Sequence, residues 1–170
     1  MTAARTGIRI IGVGNAFRSD DGAGLAVAQR VQEKIAGGAA VIEQSGDGAA
    51  LLELWKGAGT VILVDAVHSG EAPGTVHRLD ASAAEIPRSM FPYSTHAFGV
   101  AEAVQLARAL NQMPARLIVY GIEGKNFGAG VVLSAEVEEA SAQVTLRILD
   151  EARALQEEKP HCANSRSLRI

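Results

Sequence analysis

The most constraining feature of the sequence is the uninterrupted apolar run TVILV at residues 60–64, which is followed by Asp65. A run of β-branched and aliphatic residues without polar alternation is typical of a strand that other elements cover on both faces. Such strands occur in parallel sheets that lie between two layers of helices. The chain is therefore predicted to be an α/β protein built on a buried, mostly parallel sheet.

Further strands and helices alternate on either side of this run. We predict a single three-layer αβα domain at residues 1–156, with a central sheet of about five strands, and a polar C-terminal tail at residues 157–170. The other strands are expected at residues 8–13, 40–44, 75–80 and 116–120, the helices at 21–35, 49–56, 96–110 and 135–156, and a long proline-containing loop at 81–93. Ser134 is expected to cap the last helix.

The composition narrows the classes of function. The net charge of −3 leaves no surplus of Lys and Arg to neutralise a phosphate backbone, so no nucleic-acid partner is expected. No apolar run approaches the roughly 20 residues of a membrane-spanning helix, and the N-terminus lacks a secretory signal. The single cysteine, Cys162, excludes an internal disulfide and a cysteine-based zinc site. We therefore expect a cytoplasmic protein with no membrane partner, and a monomer because no large apolar stripe is left outside the core.

A glycine-containing segment, GVGNAFRSDDG at residues 12–22, follows the first strand. It invites comparison with the dinucleotide fingerprint G-x-G-x-x-G, but Phe17 occupies the third glycine position. Asp20 and Asp21 would also repel the phosphates that a helix N-terminus otherwise attracts. Glu43, at the end of the second predicted strand, does stand where dinucleotide-binding proteins have the acid that binds the ribose. A small nucleotide- or metabolite-binding module therefore remains as an alternative.

Two acids and a histidine are predicted at one edge of the sheet. Asp20 is expected to cap or complement its own helix, whereas Asp21 can point across the top of the sheet. Asp65 directly follows a buried strand and His96 opens a predicted helix. Because ligands of α/β sheets bind at the carboxyl ends of the strands, we expect Asp21, Asp65 and His96 to lie together. Two carboxylates and one imidazole could form an open site for a divalent transition metal.

Three other residues lie near this edge in the prediction. Glu123 is either a further acid at the edge or a solvated loop residue. His68 could reach the same rim, and His77 is expected to be exposed on its strand.

Four segments, taken in order, resemble the maturation endopeptidases of nickel-iron hydrogenases. The segments are GVGNAFRSDDG, VILVDAVHSGEAPGT, STHAFGVAEAV, and VYGIEG followed by LSAEVEEA. The resemblance implies a peptidase that removes a C-terminal extension from the precursor of the hydrogenase large subunit after nickel has been inserted. Its partner would be that precursor, and the substrate would bring the nickel.

The resemblance also implies roles for individual residues. Asp21, Asp65 and His96 match the family's nickel ligands, although Asp21 is one methylene shorter than the Glu often found there. Nickel could serve as the recognition element, or could also polarise the scissile carbonyl or activate a water. A metallochaperone that binds nickel without cleaving is a further alternative. The supporting candidates are Gly14, Asn15, Asp20 and Glu43.

Overall fold

The computed structural model describes residues 7–92 and 98–158, and a five-stranded sheet lies at its centre. The sheet order is β2-β1-β3-β5-β4, in which β4 is antiparallel to β5 and every other neighbouring pair is parallel. The strands are β1 (Ile8–Val13), β2 (Ala39–Gln44), β3 (Thr60–Val67), β4 (Val76–Asp80) and β5 (Arg116–Glu123). The predicted α/β class with a mostly parallel sheet is confirmed.

Helices cover both faces of the sheet. They are α1 (Ala23–Lys34), α2 (Gly48–Trp55), α3 (Val100–Ala109) and α4 (Ala135–Glu157), with short 3-10 helices at Ser19–Gly22 and Arg88–Met90. Helices α1 and α4 pack on one face through a cluster that includes Val27, Val144 and Ile148. Helices α2 and α3 pack on the other through a cluster that includes Leu51 and Val104. The three-layer arrangement is therefore confirmed.

Strand β3 extends further than predicted. The apolar pattern placed its end at residue 64, whereas the structure continues the strand through Asp65 to Val67. The reason is that β5 also runs on, to Glu123, and pairs with these added residues in register. Asp65 consequently lies inside a strand, with its backbone held by the sheet, rather than in a loop beyond it.

Several other boundaries differ from the predictions. Helix α1 begins at Ala23 because residues 19–22 form a 3-10 helix, and the predicted 81–93 loop contains a second one. Helix α3 begins at Val100, while the first two residues of its predicted range lie outside the described residues. Helix α4 ends at Glu157, and the predicted tail beyond residue 158 also lies outside them.

The start of α1 lies directly on the sheet. A Cβ atom on Gly24 would overlap the carbonyl oxygens of Val13 and Val64, so this first turn approaches β1 and β3 as closely as only glycine permits. The preceding 3-10 helix, which carries Asp21, is thereby placed over the carboxyl ends of these strands. Within the described ranges, no helix is both long enough and apolar enough to span a membrane.

Candidate active site

Asp21 and Asp65 share the walls of two small cavities at the carboxyl edge of the sheet. Each cavity has a volume of about 20 Å³, enough for about one water molecule. The structure therefore brings together the two carboxylates that the sequence predicted to meet. The first cavity is also lined by Ala66, Val67, His68, Met90, Phe91, Pro92 and Phe127, and the second by Val13, Gly14, Ser45, Gly46, Phe91 and Val100.

The turn after β1 positions the backbone of Asp21. Gly14 has a φ of 151°, and a Cβ atom there would overlap the carbonyl oxygen of Asp21. The Asn15 amide donates to that same oxygen at 3.2 Å. The Asn15 side-chain oxygen in turn accepts from the amide of Phe17 at 2.9 Å. Gly14 and Asn15, both named as supporting candidates, thus act on Asp21 through the shape of the turn.

The electrostatics of the two carboxylates are unfavourable without a cation. Asp65 is 8% exposed, and burial followed by the negative charge of Asp21 holds its pKa well above the usual value, against the opposing amide of Ala66. Burial also raises the pKa of Asp21, while the charge of Arg18 and the Asn15 backbone lower it. Two desolvated carboxylates at one cavity favour either a proton or a bound cation.

Asp20 has a different role from the one expected. It is fully buried and does not cap its own helix. Its Oδ2 accepts from the amides of Lys125 and Asn126, each at 2.8 Å, and from the Ser134 hydroxyl at 2.8 Å, while Oδ1 accepts from the Ser134 amide at 2.7 Å. The prediction of a helix cap was wrong because the 3-10 turn directs this side chain inward, towards the loop between β5 and α4.

These contacts also correct the expectation for Ser134 and explain the charge of Asp20. Ser134 stands at the N-cap position of α4, but its hydroxyl donates to Asp20 and makes no cap hydrogen bond. Burial alone would raise the pKa of Asp20, yet the hydrogen bonds from Ser134, Asn126 and Lys125 lower it below its usual value. Asp20 is therefore a charged anchor whose acceptor atoms are occupied.

Backbone contacts reinforce this anchor. We call residues 14–22 the Asp21 turn and residues 124–134 the distal loop. The Ser19 amide donates to Gly130 O and the Asp20 amide to Asn126 O, both at 2.9 Å. The Asp21 turn is thus fixed to a segment that is more than 100 residues away in sequence.

Glu123 is a second buried anchor. Its carboxylate accepts from the Ser69 amide at 2.6 Å, the Ser69 hydroxyl at 2.9 Å and the Gly70 amide at 3.1 Å, and it contacts His77 Nε2 at 3.2 Å. Of the two readings of Glu123, the solvated loop residue is wrong. His77 is partly buried against it rather than exposed. Glu123 therefore fixes the connection between β3 and β4.

The connection that Glu123 fixes also carries His68 to the first cavity. Its ring meets the ring of Phe127 edge to face, with centroids 6.0 Å apart, and its backbone amide donates to Met90 O at 2.9 Å. The rim position expected for His68 is therefore observed. Phe127 and Met90 were missed by the sequence reasoning, because apolar residues in loops carry no signal of the cavity on which they pack.

Of the predicted residues that the structure describes, Asn15, Asp20 and Glu43 do not line either cavity. Glu43 is exposed on β2, and its carboxylate accepts from Gln29 Nε2 at 3.4 Å. The segment after β2 instead contributes Ser45 and Gly46. His96 lies outside the described residues, and within residues 7–92 and 98–158 no three His, Cys, Asp or Glu side chains are arranged to hold a metal.

A family model described as hydrogenase maturation protease, HycI, matches residues 25–151 of the chain. Two curated relatives are hydrogenase expression/formation proteins. HupD of Thiocapsa roseopersicina is 27% identical over 120 residues, covering 68% of this chain and 53% of HupD. HupM of Azotobacter chroococcum mcd 1 is 29% identical over 127 residues, covering 72% of this chain and 60% of HupM. The chain thus spans between half and two thirds of the length of these relatives.

Solved structures of similar fold come from bacteria and archaea. The hydrogenase maturating endopeptidase HybD from E. coli superposes with a TM-score of 0.72 at 22% identity, over 89% of this chain and 93% of HybD. HybD from Thermococcus kodakarensis superposes with a TM-score of 0.63 at 27% identity, over 85% of this chain and 97% of that protein. With a family model that spans β3, β5 and most of α4, the chain belongs to the hydrogenase maturation protease family.

Proposed function

We propose that the chain acts as a monomeric, cytoplasmic endopeptidase that removes the C-terminal extension of the nickel-iron hydrogenase large-subunit precursor after nickel insertion. Asp21, Asp65 and His96 would recognise the nickel that the precursor carries. The observation that most supports this proposal is the pair of desolvated carboxylates, Asp21 and Asp65, at one cavity edge. Burial raises the pKa of both carboxyls, and the charge of Asp21 raises the pKa of Asp65 further, so a site of this kind favours a divalent ion.

The nickel ion belongs to the substrate in this proposal. An ion held by cysteines of the precursor would present open coordination positions, which oxygen and imidazole ligands can occupy. Nickel is a Lewis acid that can polarise a carbonyl oxygen or a water. In this proposal Asp65 would approach the nickel ion from strand β3, and Asp21 would approach it from the Asp21 turn, which the distal loop fixes. Both carboxylates would therefore be positioned before the precursor binds.

The direct test compares nickel-loaded with nickel-free precursor. Each is incubated with the purified chain, and the shortened product is measured by intact mass. We expect cleavage of the loaded precursor alone. Equal cleavage of both forms would contradict recognition through nickel, and nickel binding without any cleavage would favour a metallochaperone.

A second test addresses the nucleotide-binding alternative. Asp20 and Asp21 lie just before α1, at the position where a dinucleotide-binding protein places the pyrophosphate. We expect NAD and FAD to leave the melting temperature of the chain unchanged. A rise in melting temperature with either nucleotide, retained in Asp21→Asn, would contradict the peptidase proposal.

A further inference from the structure

His68 lines the first cavity together with the two carboxylates, Asp21 and Asp65. Among the described residues that line either cavity, these three are the ones with titratable side chains. In the proposed function both carboxylates bind the nickel ion, so their oxygens are occupied by the cation. His68 is therefore the described wall residue that remains able to exchange a proton, and an imidazole is the side chain best suited to do so near neutral pH.

Hydrogen bonds fix the backbone at His68 and at the residue before it. The His68 amide donates to Met90 O at 2.9 Å, and the Gly124 amide donates to Val67 O at 2.9 Å. The first bond joins His68 to the second 3-10 helix, and the second joins the end of β3 to the start of the distal loop. The backbone that carries the imidazole is therefore tied to two other segments that contribute walls to the cavity.

The residues after His68 are held by Glu123, and its ring is held by a neighbouring ring. The buried Glu123 carboxylate accepts from the Ser69 amide at 2.6 Å and from the Gly70 amide at 3.1 Å. The ring of Phe127, which lines the same cavity, packs edge to face against the imidazole. His68 is nevertheless exposed, so a bound substrate can reach it. An accessible group on a fixed backbone is positioned before the substrate arrives, which favours catalysis.

Hydrolysis of a peptide bond needs a group that moves one proton. The oxygen of the attacking water must lose a proton as it bonds to the scissile carbonyl carbon, and the amide nitrogen must gain one as its bond to that carbon breaks. The first cavity is large enough for about one water molecule, and an enclosed water needs about two to four polar partners. Asp21, Asp65 and His68 supply polar side chains on its walls.

We propose that His68 is the catalytic residue that carries this proton. Its imidazole takes a proton from the attacking water, whose oxygen bonds to the carbonyl carbon, and gives the proton to the amide nitrogen when the C–N bond breaks. The products are a carboxyl group and an amino group, so the atoms and charges balance without a further reactant. The proposal rests on the proposed function and deepens it, because it adds a proton carrier to the three residues that would bind nickel.

The test separates the rate of cleavage from the binding of the substrate. His68→Gln and His68→Ala are compared with the wild type for kcat and KM of cleavage of nickel-loaded precursor and for the Kd of that precursor. We expect kcat to fall about 100-fold or more, the usual contribution of general acid–base catalysis, with Kd within about twofold of the wild type. Added imidazole should raise the kcat of His68→Ala, because the free base replaces the missing side chain, and should not raise that of the wild type.

The matched control is Glu71→Gln, which changes an exposed acid on the same connection between β3 and β4. This variant should keep the wild-type kcat, KM and Kd, and thermal melting checks that all variants remain folded. Folded His68 variants with a wild-type kcat would overturn the proposal. A higher Kd with an unchanged kcat would also overturn it, since His68 would then contact the substrate or its nickel without moving a proton. A loss of kcat in His68→Ala that imidazole does not restore would make the role structural and the proposal wrong.

The remaining outcomes separate this proposal from the proposed function. If the wild type binds the loaded precursor without cutting it, the peptidase proposal fails and the proton carrier fails with it. If the wild type cuts the precursor and the His68 variants cut it equally fast, the peptidase proposal stands and only the role of His68 is wrong. If the wild type cuts loaded and nickel-free precursor equally, recognition through nickel is contradicted, but a loss of kcat in the His68 variants still supports the proton carrier.

Discussion

Two pairs of acids at the same edge of the sheet differ in how their charge is accommodated. Asp20 and Glu123 are fully buried, and each carboxylate has four polar contacts, all from loops except that of His77 on β4. Asp21 and Asp65 face cavities, and burial raises the pKa of both. We call the first two the anchor pair and the second two the site pair. Burial alone therefore does not distinguish the two pairs, whereas the number of hydrogen-bond donors does: only the Asn15 backbone is a hydrogen-bond cause for the pKa of Asp21, and only the Ala66 backbone for that of Asp65.

This comparison has a physical basis. A carboxylate with occupied oxygens stabilises the fold and has no capacity left for a ligand. A carboxylate that is desolvated beside another acid carries an electrostatic cost, which a cation removes. The anchor pair therefore holds the loops in place, whereas the site pair, in the function proposed above, remains available to a cation.

The largest effect is expected from neutralising the site pair. Asp21→Asn and Asp65→Asn should each reduce cleavage of nickel-loaded precursor by about 100-fold or more, because the loss of a group that only supports a metal ligand already costs 10- to 100-fold. Rates of product formation measure the effect. Asp150→Asn, which changes an exposed acid on α4, is the control and should cleave normally. Normal cleavage by both site-pair variants would show that these two acids do not differ from the anchor pair in the way described.

Replacing an acid of the anchor pair should lower the stability of the fold. Asp20→Asn should lower the free energy of unfolding by about 2 kcal/mol, because the new amide cannot accept all the hydrogen bonds that Asp20 receives. Urea denaturation measures the change. Asp65→Asn serves as the contrast and should not destabilise the chain. A loss of stability in Asp65→Asn equal to that in Asp20→Asn would show that the two pairs do not differ.

A smaller loss is expected at the other anchor. Glu123→Gln should cost about 1 kcal/mol, since Gln keeps one acceptor oxygen for the amides of Ser69 and Gly70. Amide hydrogen exchange should become faster in residues 68–75, the connection that Glu123 fixes. Unchanged exchange there would contradict its role as an anchor.

The smallest effect is a difference in pH dependence, measured on the metal-free chain. The pKa of Asp20 is lowered on folding, so its stabilisation is present above the unfolded value of 3.8 and is lost as the pH falls through the folded value. The pKa of Asp65 is raised, so its charge destabilises the fold as the pH rises above 3.8. Asp65→Asn should therefore be more stable than the wild type at pH 7, and this advantage should shrink as the pH falls towards 4. If the stability difference between Asp65→Asn and the wild type increased as the pH fell, this prediction would be contradicted.

The framework of the fold could be predicted because it is encoded locally. Strand β1 has the predicted bounds, and its apolar residues end at the turn of Gly14. The end of β3 could not be predicted from its own residues, because a carboxylate interrupts the apolar pattern and only pairing with β5 shows that the strand continues. Local patterns therefore locate strands, while their ends depend on a neighbour.

The candidate site likewise contains residues whose positions could be predicted and residues whose roles could not. The position of Asp21 and Asp65 at one edge follows from topology, and the structure brings them together. The roles of Asp20 and Glu123 did not follow, because their partners lie between 46 and 114 residues away along the chain. No local signal distinguishes an acid that caps its own helix from one that holds a distant loop.

The long separation between Asp20 and its partners has a consequence for biosynthesis. A chain is made from its N-terminus, so the Asp21 turn is complete long before Lys125, Asn126 and Ser134 exist. Until these residues emerge, the Asp21 turn lacks the hydrogen bonds that join it to the distal loop. The loop after β5 and the start of α4 therefore complete the support of an edge whose two acids, Asp21 and Asp65, come from the first half of the chain.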